Sequence, residues 1–213
     1  MRTKSALNKK GITLIELLVA LVICGVVIAG TYRLFVAQTR AYTVQDQVVE
    51  VQQGIRSAME ILLRDLRMAG FDSDNVASKI NIANPIVAGD NSITVSYEYD
   101  NTTQYTLTYS REAATKRLLR QLTTTKDDGS SIAGPQEALL ENVEGLDFTY
   151  GVDTNDDGVL EWVSAGAIGT WKVVAVRVVL TANPDPTHPD VKNWISPRTL
   201  TSAVAVRNLV LTK

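Results

Sequence analysis

One carboxylate interrupts an otherwise apolar run. Ile12 to Tyr32 is a 21-residue stretch whose only charge is Glu16. The residues before it, Met1 to Gly11, carry Arg2, Lys4, Lys9 and Lys10 and no acid. A charged side chain inside a segment of membrane-spanning length is expensive and by default functional. Its chemistry would be ion pairing, because a carboxylate withdrawn from water needs a cationic or hydrogen-bonding partner.

A second group of oxygens lies far downstream. Asp153-Thr154-Asn155-Asp156-Asp157-Gly158-Val159-Leu160-Glu161 fits the first half of a calcium loop. In such a loop the oxygens of Asp153, Asn155 and Asp157 converge on one hard cation, Gly158 makes the sharp turn and the Val159 carbonyl adds a ligand. The final glutamate of an EF-hand is missing, since that position is Ser164, and Glu161 is the nearby replacement. The competing reading is an acidic β-turn, for which Asp157-Gly158 is a good hairpin signal. Calcium, if bound, would order this loop and stabilise the domain around it.

Little else suggests reaction chemistry. The single cysteine, Cys24, sits within the apolar run, so no intrachain disulfide forms. The single histidine, His188, lies in a segment from Asn183 to Pro197 with four prolines, which reads as a solvated loop. Nucleophile-elbow, phosphate-loop and zinc-spacing motifs are absent, and no enzymatic activity is expected.

Net charge is −2, and without the four N-terminal cations 17 basic residues face 23 acidic ones, a formal −6. That balance argues against nucleic acid, which is held by neutralising phosphates. A local basic patch such as Lys116, Arg117 and Arg120 is the feature that would serve a DNA-binding alternative.

The elements that position these groups follow from periodicity. About 20 apolar residues span a bilayer, and the cations on the N-terminal side place that end in the cytoplasm. Beyond the run, Val48, Val51, Ile55, Ala58, Met59, Leu62, Leu66 and Ala69 recur at steps of three and four, an amphipathic stripe. No proline occurs before Pro85, and Gly70 is a fitting stop. Ile12 to Ala69 therefore reads as one helix of 58 residues, about 87 Å long, with Gly25, Gly30 and Gly54 as its weak points. After residue 70 the period becomes two. Strands are expected at Ser92–Tyr99 and Gln104–Tyr109, joined by a turn at Asn101-Thr102, then at Lys116–Leu122, Glu144–Val152, Lys172–Thr181 and Leu200–Leu211. The expected class is α+β, a long N-terminal helix packed on a mostly antiparallel sheet. Its divisions are a leader (1–11), a membrane or filament-core helix (12–32), an amphipathic continuation (33–70) and a β-rich extracytoplasmic head (71–213).

Lys9-Lys10-Gly11-Ile12-Thr13-Leu14-Ile15-Glu16 resembles the leader and cleavage motif of type IV prepilins, with Ile12 where phenylalanine is usual. The resemblance implies cleavage after Gly11, N-methylation of the new Ile12 amine by prepilin peptidase, and a role for Glu16 in pairing with the Ile12 amine of a neighbouring subunit. Arg64-Asp65-Leu66-Arg67-Met68-Ala69-Gly70-Phe71 resembles the helix-end string of PilW-type minor pilins, and Val204 to Asn208 resembles their C-terminal strand. These likenesses imply a structural minor pilin of a type IV pilus, anchored in the inner membrane and later surface-exposed. Its partners would be major and minor pilins, prepilin peptidase and the inner-membrane assembly platform. A type II secretion pseudopilin shares the same processing, and an independent membrane-anchored binding module shares the anchor.

Overall fold

The computed structural model describes residues 11–72, 80, 82–155, 157–185 and 196–211. The chain divides into two compact units, Met1–Gln45 and Asp46–Lys213. One helix, α1 (Leu14–Met68), supplies the secondary structure of the first and opens the second. Gly25, Gly30 and Gly54 do not end it.

In the first unit the helix leaves its apolar side chains exposed, Leu14, Leu21 and Ile28 among them. Among the described residues this is the one helix long and apolar enough to cross a membrane, and none of its apolar window is buried. Its hydroxyls are satisfied within the helix: Thr31 Oγ1 donates to the Val27 carbonyl at 2.9 Å and Thr39 Oγ1 to that of Phe35 at 2.9 Å. That pattern lets a hydroxyl sit in an apolar medium without an orphaned donor.

In the second unit the expected stripe is the buried face of α1. Val51, Ile55, Ala58, Met59, Leu62 and Leu66 join Val95, Leu107 and Leu118 and, from a second sheet, Leu146, Phe148, Val178 and Leu180 in one core. Burying each such aliphatic or aromatic side chain is worth about 1.5–3 kcal/mol. Gly54 is a close-approach residue and not a bend, because a Cβ there would lie 2.9 Å from Leu140 Cδ1.

The strands form two antiparallel sheets. The first is ordered β1 (Ile86–Ala88), β2 (Ser92–Asp100), β3 (Thr103–Glu112), β4 (Arg117–Lys126) and β5 (Ser131–Leu140). The second is ordered β7 (Glu161–Val163), β6 (Val143–Val152), β8 (Val173–Ala182) and β9 (Arg198–Ala205). The predicted hairpin at Asn101-Thr102 joins β2 to β3 with the register Val95↔Leu107 and Tyr97↔Tyr105. The apolar strand expected at Lys172–Thr181 is β8, flanked on both sides.

Three strands escaped the periodicity reading, each for a physical reason. β1 and β7 are three residues long, too short to alternate. β5 is exposed along most of its length and contains Gly134 and Pro135, so it shows neither an apolar face nor strand-like composition. The expected terminal strand Leu200–Leu211 is corrected: β9 stops at Ala205 and a short helix, α2 (Arg207–Leu211), follows. Val206 donates its N–H to the Val174 carbonyl, and the chain then turns away from the sheet. His188 lies outside the described residues.

A buried ionic cluster ties α1 to the first sheet. Asp65 is 3% exposed. Its Oδ2 accepts a hydrogen bond from the Tyr109 hydroxyl at 2.5 Å and from Arg120 Nε and Nη2 at 3.2 Å each. Arg64 Nε lies 3.2 Å from Oδ1, and Arg120 Nε also donates to the Tyr109 hydroxyl oxygen at 3.1 Å. Burial, then the adjacent Asp65 carboxylate, pushes the Tyr109 hydroxyl far above the usual tyrosine range. Tyr150 ties the two sheets: its hydroxyl donates to the Gly89 carbonyl at 2.7 Å and accepts from the Gly89 N–H at 3.0 Å. Burial pushes its pKa up to about 12.

Two predictions follow from these contacts. Asp65→Ala strips the compensating charge from Arg120 and the acceptor from Tyr109. Breaking a buried pair costs about 3–5 kcal/mol, and part-exposed Arg120 places the loss near the lower end; urea unfolding of the full chain in detergent reads it. Tyr150 is protonated in the fold to a higher pH than in the unfolded chain, whose tyrosines titrate near ~10. The resulting stability is intact below pH ~10 and is lost as pH rises toward 12. Tyr150→Phe lowers stability at neutral pH and flattens the decline between pH 10 and 12, measured by the same unfolding curves.

Candidate functional site

Thr13 caps α1 and determines where Glu16 points. Glu16 Oε2 accepts hydrogen bonds from the Thr13 N–H and the Thr13 hydroxyl at 2.8 Å each, while the Glu16 N–H donates to Thr13 Oγ1 at 3.4 Å. This is a capping box, with threonine at the N-cap and glutamate three residues on. The spacing Thr13-Leu14-Ile15-Glu16 carried that signal, but the apolar context drew the reading toward intermolecular pairing alone. Gly11 and Ile12 precede the helix, and Ile12 is 79% exposed. Ile15, Val19, Ala20 and Ile23 form a shallow apolar groove with the carboxylate. Both bonds from Thr13 fall on Oε2. A carboxylate offers about four lone-pair sites, so Oε1 retains capacity for an ammonium donor.

The far end of α1 is also a built feature. Gly70 adopts φ +71°, the left-handed conformation that terminates helices. A Cβ there would lie 2.7 Å from Leu209 Cδ2, so a larger residue would also have to displace that side chain. Asn208 Nδ2 lies 3.3 Å from the Arg67 and Ala69 carbonyls and 3.5 Å from that of Met68, covering acceptors that have no partner within the helix. The Arg64–Phe71 string and the Val204–Asn208 string therefore meet in space. Sequence reading missed the role of Asp65 in that string. The available signal was its place on the apolar stripe, three residues after Leu62 and four before Ala69.

The acidic loop connects β6 to β7. Asp153 Oδ2 accepts from the Gly158 N–H at 2.9 Å, Asp157 Oδ1 from the Val159 N–H at 2.7 Å, and Glu161 Oε2 from the Thr154 N–H at 3.1 Å. Asn155 Nδ2 donates to Asp157 Oδ2 at 2.9 Å. Gly158 takes φ +79°. Backbone N–H groups thus occupy much of the acceptor capacity that a cation would use. Among the described residues no three His, Cys, Asp or Glu side chains converge as a metal site, and Asp156 lies outside them. Asp153 Oδ1 is buried with no hydrogen-bond partner among the described residues.

The three cations of the local basic patch are all engaged. Lys116 Nζ lies 2.7 Å from Glu144 Oε1, Arg117 Nη2 lies 3.0 Å from Glu141 Oε1, and Arg120 serves Asp65 and, at 3.7 Å, Glu137. A patch already neutralised by its own acids offers little to phosphates.

A membrane-length apolar helix with a basic N-terminal flank and one glutamate, continuing as the core helix of an antiparallel β domain, defines a pilin-like subunit. Residues 104–208, from the start of the second hairpin strand to α2, match the family Type IV Pilus-assembly protein W. Residues 7–32 match the Prokaryotic N-terminal methylation motif. Together the two matches fit a PilW-type pilin with a prepilin motif and support a type IV pilin-like role. The families are structural components of pilus assembly. The motif and the single apolar helix fit an inner-membrane-anchored pilin that later enters the pilus. No curated protein matches the chain.

Proposed function

We propose that the chain is a structural minor pilin: made as a prepilin, cut after Gly11, N-methylated on Ile12, and incorporated into, or initiating, a type IV pilus, with its N-terminal helix in the filament core. The observation that carries this reading is the first turn of α1. Thr13 holds the Glu16 carboxylate by one oxygen beside an exposed Ile12. Cleavage would create a charged amine at Ile12, and the remaining oxygen of Glu16 suits the amine of a neighbour once both leave the lipid. The partners are other major and minor pilins, prepilin peptidase and the inner-membrane assembly platform. The match to the pilus-assembly family favours a pilus over a type II secretion machine. An independent anchored binding module would keep its leader.

Mass spectrometry of the protein from its native membrane tests processing: a mature start at a methylated Ile12 is expected, and an intact Met1 removes the filament reading. Glu16→Ala is expected to leave leader cleavage intact while sharply reducing incorporation into sheared pili. Normal incorporation of that variant would overturn the pairing role.

We propose also that the 153–161 loop takes calcium, supported by the buried Asp153 Oδ1, which has no hydrogen-bond partner among the described residues. Binding to the folded state stabilises by mass action, about 2.7 kcal/mol at a hundredfold excess over Kd. Added calcium should raise the melting temperature of chelator-treated protein, and an unchanged melting curve excludes the ion.

A further inference from the structure

The two sheets have four edges, and three of them are blunted. β1 and β7 are three residues each. β5 carries Gly134, Pro135 and Glu137 and slips register twice against β4. Short strands, prolines, charges and bulges are the usual means by which proteins prevent an edge from pairing with another chain. β9 has none of these over most of its length. It pairs with β8 in unbroken register from Arg198 to Ala205, contains no proline or glycine, and carries no charge after Arg198. Among the described residues no strand pairs with its outer side.

A groove runs beside this edge. Met68 and Phe71 from the end of α1, with Ala203 and Ala205 from β9, make it apolar, and Arg67 and Arg207 flank it. Both arginines are exposed, and among the described residues neither has an ion-pair partner. A row of open backbone donors and acceptors specifies an extended strand as the occupant, since strand addition is how such an edge is satisfied. Two exposed guanidinium groups with no ion-pair partner among the described residues specify a carboxylate on it, because arginine forks match carboxylates bidentately. Pairing of β9 with the β9 of a second copy does not meet that requirement. Residues 196–208 contain Arg198 and Arg207 and no acid, so pairing β9 with itself brings cation to cation.

We propose that the outer edge of β9 is a docking site for an extended, carboxylate-bearing segment of a different pilin subunit, which adds a strand to the second sheet and places its acid between Arg67 and Arg207. The inference rests on the reading of the chain as a pilin, and it assigns one head surface to a heterologous neighbour. Asn208 Nδ2 donates to the Arg67 carbonyl, which ties the end of α1 to the start of α2 where Arg67 and Arg207 line one groove.

The experiment is photo-crosslinking of the full-length chain in its native cells, with the crosslinking residue at Ala203 and, as a control edge, at Ile132 of β5. The expected result is an adduct at Ala203 and none at Ile132. Its partner is another pilin subunit, joined within a few residues of an Asp or Glu. The yield should fall about tenfold, the effect of a modest loss in binding free energy, in the Arg67→Glu, Arg207→Glu double variant. Both substitutions are on exposed side chains, and an unchanged melting curve checks that the fold survives. No adduct at Ala203, an adduct with a second copy, or an adduct indifferent to charge reversal overturns the proposal. Leader cleavage and pilus incorporation are scored in the same cells. Normal processing and incorporation without the adduct reject the docking site alone, whereas an unprocessed leader rejects the pilin reading beneath it.

Discussion

Burial of the Asp65 carboxylate is the constraint on which the second unit depends. A charge withdrawn from water must be matched at close range or it unfolds its surroundings. Here the match comes from Tyr109 on β3 and Arg120 on β4, residues 44 and 55 positions away in the chain. Apolar packing of Leu62 and Leu66 would tolerate small slides and rotations of α1 across the sheet. A carboxylate with directional bonds to a hydroxyl and a guanidinium does not. The ionic cluster therefore selects one register for the helix, and with it the position of Gly70 and of everything that follows the helix.

The same α1 meets two different environments by two different means. Its first part has no protein cover: the apolar residues from Leu14 onward are exposed in the single subunit, and the threonine hydroxyls are bonded back to the helix. These are the properties of a segment made for lipid, where each unpaired polar group costs several kcal/mol. Its second part confines polarity to one face and buries the other. Glu16 and Asp65 mark the contrast. Each is a carboxylate on an apolar helix face. Asp65 is fully matched inside its own chain, whereas among the described residues Glu16 is bonded only to Thr13, through one oxygen. The first is a residue of architecture and the second a residue poised for assembly.

The head shows how local chemistry and long-range contact share the work. The acidic loop closes the β6–β7 hairpin through its own backbone N–H groups, so its shape does not wait on a distant partner. The end of α1 is the opposite case. Its last carbonyls are met by Asn208, about 140 residues later, and Gly70 is packed by Leu209. That junction aligns the helix end with the edge of β9, which is how two short strings separated by most of the head come to form one surface.

The membrane-length helix, the amphipathic stripe and the main alternating strands were legible in the residues alone. Each rests on short-range periodicity or on a contact within one helical turn, which a single window of sequence contains. The leader motif was legible for the same reason. The division of the strands into two sheets, the edge strand β5, the short strands β1 and β7, and the helical turn at Arg207–Leu211 were not. Each of these depends on which distant segment lies alongside. Asp65 makes the distinction sharpest. Its position on the stripe is visible in sequence as an anomaly, but the partners that make the anomaly stable come from strands β3 and β4, and only the folded chain brings them within hydrogen-bonding distance.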